Sequence, residues 1–263
     1  MEPQTAADFL SLSEFNQIQF LDEFDADGHI LGKDESKVAT LLTGIIDQSQ
    51  SSYVKRTCFG ILCKLSLLGI VSNKFIVLSQ LQRFLKSSDN DLKSTALKYI
   101  PFFPEALGGE GLEVVKELSD DSSGDVSSEA YLTLGLNRLS HSFSVDLALA
   151  INEIDQASLF FSSSIASLEN RVDAEFFLQV ADFCRAVVRN DTERATLIIE
   201  TLENQLLMMN LYDFQQKGIE LDIVLFKACS NLSELIKQTR TSDQWIDIKA
   251  DIEVVYQITS CLL

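Results

Sequence analysis

Proline, glycine and histidine are scarce in this chain of 263 residues, which holds three, eleven and two of them. So few breakers, with few alternating β-branched runs bounded by turn residues, exclude a strand-rich fold and predict an all-α one. With only His29 and His141, general acid/base or zinc chemistry has few places to reside. No C-x-x-C pair, H-E-x-x-H, G-x-S-x-G or Walker loop occurs, so the motifs of thiol redox, zinc hydrolysis, acyl transfer and nucleotide binding are missing. Accordingly we assign no catalytic, cofactor-binding or metal-ligating residue and expect no cofactor.

Long apolar runs are missing too. The stretch LSLLGIVSNKFIVL, residues 65 to 78, is broken by Asn73 and Lys74 and is too short to span a bilayer. The start, MEPQTAADFL, lacks the positive flank and apolar core of a signal peptide. The cysteines (Cys58, Cys63, Cys184, Cys229, Cys261) are odd in number and set among apolar residues, where a free thiol behaves as a small hydrophobe in a reducing compartment. We expect a soluble cytoplasmic protein that engages no membrane.

What is present is apolar bulk and negative charge. At 46% hydrophobic and 23% charged residues, the chain can bury a sizeable core. The net charge of -18 repels nucleic-acid phosphates and lipid headgroups and suits a basic partner. The charge is unevenly spread. Residues 1–50 carry ten acidic and two basic side chains, whereas residues 51–88 carry Lys55, Arg56, Lys64, Lys74, Arg83 and Lys86 and no Asp or Glu. Mutual neutralisation of this island and the acidic N-terminus is the simplest expectation; a basic docking face is the alternative.

Three segments repeat a pattern: SSYVKRTCFGILCKL from residue 51, NDLKSTALKYIPFF from 90 and GDVSSEAYLTLGLNRL from 124. Val54, Leu92 and Val126 align, as do Cys58, Ala96 and Ala130, then Leu62, Ile100 and Leu134. Apolar positions at i, i+4 and i+8 line one side of a helix, and the small middle residue lets a neighbouring helix approach. Each is followed by a second amphipathic segment, beginning at residues 75, 112 and 145. Helix pairs at this period cannot bury their apolar faces alone and must stack. Pro101 and Pro104 are expected to end or kink the second unit's first helix near Ile100.

The Asp-apolar-x-Ser-x-Ala signature of Asp91–Ala96 and Asp125–Ala130 resembles HEAT-type repeats over about residues 51–157. The basic residue usual after the apolar position stands as Lys55 and Lys93, with Ser127 in the third unit. The resemblance implies an all-α, right-handed α-solenoid of stacked antiparallel helix pairs with a helical C-terminal half. The expected division is an acidic N-terminal helical segment (1–50), HEAT-like repeats (51–157) and a helical bundle packed on them (158–263). The serine-rich segment FFSSSIASLENR, residues 160–171, is the candidate boundary, a weak linker.

Residues 23–34, EFDADGHILGKD, partly match a calcium loop. With Gly28 at the turn position, Glu23, Asp25, Asp27, the His29 carbonyl and Asp34 fall at ligand positions. The Glu and Asp at the two ends are exchanged relative to such loops, and Leu31 supplies no side-chain oxygen. An Asp-Gly turn between two helices needs no ion and is the preferred reading. Calcium held there would bind at about millimolar affinity.

The remaining candidates read as structure. His141 is expected at a helix end, the acids of LSDDSSGDVSSE (118–129) as solvated caps, and Trp245 as a packing anchor. Phe102, Phe103, Phe160, Phe161, Phe176 and Phe177 are expected in the core, any exposed one marking a binding patch. The functional expectation is a non-enzymatic interaction module, an adaptor or inhibitor, that binds a basic protein through an acidic helical-repeat surface. The alternatives are an enzyme with a carboxylate-based site on the same scaffold, and an inhibitor whose acidic face imitates nucleic acid.

Overall fold

The computed structural model describes residues 3, 5–26, 35–67, 69–142, 145, 147–169, 171–189, 191, 193–195, 197–198 and 201–202. Among them the chain is all-helical, without strands. The helices are α1 (Ala6–Leu10), α2 (Glu14–Ala26), α3 (Glu35–Gln48), α4 (Ser52–Leu67), α5 (Lys74–Leu85), α6 (Asn90–Tyr99), α7 (Gly111–Leu118), α8 (Gly124–Ser142), α9 (Leu147–Ser167) and α10 (Val172–Val188). Two short 3-10 turns, Ile100–Phe102 and Pro104–Leu107, connect α6 to α7. No helix among the described residues is long and apolar enough to cross a membrane.

The chain forms two compact units, Met1–Val126 and Ser127–Leu263. In the first, α4 lies against α3, α5 and α6, and α5 against α6 and α7. Helices α4 and α6 run parallel: Ser52 hydrogen-bonds Asp89, Arg56 pairs with Asp91, and the Phe59 and Tyr99 rings meet edge to face at 5.6 Å. Gly60 permits this approach, since a Cβ there would lie 2.9 Å from the Tyr99 hydroxyl oxygen. Phe59 also packs on Phe84 of α5, centroids 5.0 Å apart.

All nine aligned repeat positions are buried, from Val54, Cys58 and Leu62 through Leu92, Ala96 and Ile100 to Val126, Ala130 and Leu134. Full burial of each branched aliphatic among them contributes about 1.5–3 kcal/mol, so the i, i+4, i+8 stripe is what packs these helices. Helix α6 stops at Tyr99, and Pro101 and Pro104 fall in the first turns of the two 3-10 segments. Proline has no N–H to donate and clashes with the preceding turn, which ends α6 where expected. Helix α4 closes through Gly69, whose φ of 73° lets the Ile70 and Val71 amides turn back onto the Leu65 carbonyl.

In the second unit α8 and α9 are antiparallel, Ser128 meeting Ser164 while Arg138 meets Glu153. Helices α9 and α10 are antiparallel too, with Phe161 stacked on Phe177 and Asp155 paired to Arg185. The core contains Leu136, Leu139, Ile154, Phe161, Phe177, Val180 and Phe183.

The serine-rich segment is not a linker. Helix α9 runs through Phe160, Phe161 and the serines to Ser167, and only then does the chain break before α10. Ser164 is fully buried, and its hydroxyl donates to the Ser128 carbonyl at 2.8 Å while the Ser128 hydroxyl donates to the Ser164 carbonyl at 2.9 Å. Small hydroxyl side chains that bond a facing helix permit close contact there, and their helix penalty is only a few tenths of a kcal/mol, about 0.5.

Candidate functional site

The basic island of the first unit is largely met by carboxylates. Arg56 faces Asp91 at 3.3 Å, Lys74 faces Glu105 at 3.6 Å, Lys86 faces Glu110 at 3.8 Å, and Arg83 pairs with Asp47. Only Asp47 belongs to the acidic first fifty residues. The other partners come from α6 and the segment after it, because α6 lies beside α4 and α5 and the following turns return against α5. Among the described residues, then, the island meets carboxylates of the following helices as well as Asp47, and the side chains of Glu23, Asp25, Asp27 and Asp34 in the acidic N-terminus lie outside the description. These pairs are solvent-exposed and weak, worth about 0–1 kcal/mol each.

Two aspartates at helix starts tie successive helices together. Asp89 caps α6 by accepting from the Asp91 and Leu92 amides, and also accepts from the Ser52 hydroxyl. That hydroxyl bond first, and then the two amides and Arg56, outweigh burial and hold its carboxyl below the usual range. Asp121 accepts from Lys93 Nζ at 2.7 Å and from the Ser123 amide at 2.9 Å, and the Lys93 bond chiefly lowers its pKa. Asp121 is thus a paired, mostly buried group rather than a solvated cap.

The same segment exposes negative charge. Glu105, Glu110, Glu113, Glu117, Asp120 and Asp125 are all exposed, with Lys116 the sole basic residue between 104 and 125. Lys116 pairs with Glu113 at 2.7 Å. Among the described residues no cation lies within 4 Å of Glu117, Asp120 or Asp125.

The second unit holds a polar cluster that its sequence did not advertise. Arg171, just ahead of α10, presents Nε and Nη2 to the two Asp173 oxygens at 2.8 and 2.7 Å. Its Nη1 donates to Glu129 Oε1 at 3.0 Å and to the Ser128 hydroxyl at 3.1 Å. Burial opposes the guanidinium charge, but the Asp173 bonds and the Glu129 charge outweigh it and push the Arg171 pKa up. Glu129 is therefore corrected from solvated cap to buried ion-pair partner on α8. The signal available in sequence was the Arg171-x-Asp173 spacing at a helix start.

Further along, Arg138 donates to both Glu153 oxygens at 3.3 and 3.1 Å, and His141 Nδ1 lies 3.6 Å from Glu153 Oε2. His141 sits in the last turn of α8, as expected. Arg185 of α10 reaches Asp155 at 2.8 Å and the Ser158 hydroxyl at 2.7 Å on α9, and pairs with Asp182 on its own helix. These clusters are helix-to-helix ties, and each arginine that bonds two carboxylates does so in a fork geometry suited to it.

Cys58, Cys63 and Cys184 are buried free thiols. Burial pushes Cys58 and Cys184 up to about 12 and holds the Cys63 thiol well above its ordinary range. Among the described residues, no group of three or more His, Cys, Asp or Glu side chains is placed to hold a metal ion. Of the phenylalanines, Phe103, Phe161, Phe176 and Phe177 are buried and Phe102 and Phe160 half-buried, while the exposed aromatic rings among the described residues are Phe15 on α2, Tyr53 on α4 and Phe75 at the start of α5. In the calcium-like stretch, residues 23–26 are the end of α2, and 27–34 lie outside the described residues, as do Cys229, Cys261 and Trp245. Comparison of the chain with family models, with curated proteins and with solved structures gives no match.

Proposed function

We propose that this chain is a non-enzymatic interaction module, an adaptor or inhibitor, whose acidic helical-repeat surface takes a basic protein partner in the cytoplasm. The observation that supports this is the exposed acid of residues 105–125, where Glu117, Asp120 and Asp125 lack a neighbouring cation among the described residues. Carboxylates already paired within the chain offer a partner little, whereas unpaired ones retain their field for steering and selecting a cationic surface. The parallel placement of α4 and α6 and the burial of the aligned positions support a right-handed, HEAT-like stacking of helix pairs.

The test is affinity capture by the full chain from native cytoplasm at low and at high salt. A stoichiometric basic protein, released by salt and weakened by Glu117→Lys with Asp120→Lys, is the expected result. Capture that resists salt and ignores both reversals, or no partner in any condition, overturns the reading.

A further inference from the structure

In a chain of net charge -18, helix α9 turns an uncharged seam to solvent. Leu149, Asn152, Gln156, Leu159, Ser163 and Ala166 follow one another at alternating steps of three and four residues, the spacing that draws a narrow line along one side of a helix. Leu149 and Leu159 are 54% and 60% exposed, Asn152 and Ala166 are exposed too, and Gln156 and Ser163 are half-buried. The two carboxylates of the helix stand outside the seam, Glu153 bonded by Arg138 of α8 and Asp155 by Arg185 of α10. The pattern also reads the same from both ends. Leu149 and Leu159 lie five residues to either side of Ile154, and Asn152 and Gln156 lie two residues to either side.

We infer that this seam joins two copies of the chain, their α9 helices packed antiparallel about a two-fold axis at the level of Ile154. In that register Leu149 of each copy faces Leu159 of the other, and Asn152 faces Gln156, so apolar meets apolar and amide meets amide. A slip of one heptad sets Leu149 against Ala166 and Leu159 against Gln156, which leaves both leucines poorly covered. Antiparallel helices oppose their macrodipoles, whereas parallel ones align them. Charge selects the same face. Two chains that each carry -18 repel, and a seam without carboxylates lets them touch without burying an unpaired charge. A pair of 21-residue helices, each about 30 Å long, covers less than a standard interface of about 1,600 Å², so the dimer is a weak one. Its salt dependence is opposite in sign to that of a basic partner held by exposed acids.

The experiment is sedimentation equilibrium of the full chain from about 1 to 100 μM, at low and at high salt. The apparent mass is expected to rise with concentration towards that of two chains, and to do so more readily at high salt, where the repulsion is screened. Leu159→Glu, an exposed substitution, should weaken association about tenfold or more, since it sets a charge in the seam twice per dimer. On mild oxidation the double variant Leu149→Cys with Leu159→Cys should form a linked dimer beyond that of the unaltered chain, while neither single variant does. A monomer at every concentration, association that Leu159→Glu leaves untouched, or self-linkage of a single variant overturns the inference. A lowered urea midpoint in Leu159→Glu with no dimer in the unaltered chain also overturns it, by assigning the seam to another part of the same chain.

Discussion

Gly135 of α8 and Phe161 of α9 are in such close register that a Cβ on residue 135 would lie 2.4 Å from the phenylalanine ring. Phe161 is fully buried and stacked on Phe177, so it has little room to withdraw. Alanine at 135 gains up to about 1 kcal/mol of helix propensity. Overpacking at a closed core contact costs about 1–3 kcal/mol and more when a ring must move. We expect Gly135→Ala to destabilise the chain by about 1–2 kcal/mol as the balance of these effects, measured as a lowered urea midpoint. An unchanged or raised midpoint would show that the ring shifts freely.

Removing Arg171 should be far worse than removing one of its partners. Arg171→Met breaks the buried pair with Glu129, and removing one partner of a buried pair costs about 3–5 kcal/mol. Asp173→Asn keeps the Glu129 pair and alters a carboxylate that is partly exposed, so its cost should be smaller. Denaturant titration of the two variants decides it, and equal losses would contradict this ranking.

Stability should fall in acid through Asp89 and Asp121. Both folded-state carboxyls titrate below their ordinary value, held there first by the Ser52 hydroxyl and the Lys93 ammonium respectively. A carboxyl lowered by folding adds stability that is fully present above the unfolded value and lost as pH falls through the folded one. The expected window therefore runs from the ordinary carboxylate range downward, near pH 4 and below. Asp121→Asn should lower stability at pH 7 and flatten the acid limb of a stability–pH profile. A limb as steep as that of the unaltered chain would assign the loss to other groups.

The three described thiols should be silent in the folded chain. Reaction needs thiolate and access, and burial denies Cys58, Cys63 and Cys184 both. Alkylation at pH 8 followed by peptide mass spectrometry should find these three unmodified in native buffer and fully modified in denaturant. Rapid native labelling of Cys58 would place it outside the core stripe.

Much of the first unit was legible because its information is local. Val54, Cys58 and Leu62, and their counterparts, are spaced by helical turns, and burial follows that spacing directly. Pro101 and Pro104 end α6 for reasons confined to two residues. The serine run at 162–164 misled because serine has two uses: solvated in a linker, or small and hydrogen-bonded where helices touch. Nothing in residues 160–171 alone distinguishes them. The outcome depends on Ser128, thirty-six residues earlier, standing opposite Ser164.

Glu129 is the same problem in charge. Its neighbours in LSDDSSGDVSSE include exposed acids such as Asp120 and Asp125, so composition placed it among solvated caps. Burial at that position became tolerable only when Arg171 arrived from the start of α10 to meet it. The basic island shows the converse, since its excess is real but, among the described residues, Arg56, Lys74 and Lys86 find counter-charges later in the chain, in Asp91, Glu105 and Glu110.

By itself, the sequence determined the helical class, the repeating apolar stripe, the end of α6 at its prolines and the scarcity of groups for acid/base chemistry. Each of these follows from residue type and spacing within a few turns. Only the tertiary structure decided which carboxylates are spent on internal cations, which serines join helices, and which acids stay open to solvent. Those outcomes depend on pairs distant in the chain, and desolvation makes the energy of a charge or hydroxyl depend on the partner that folding brings to it.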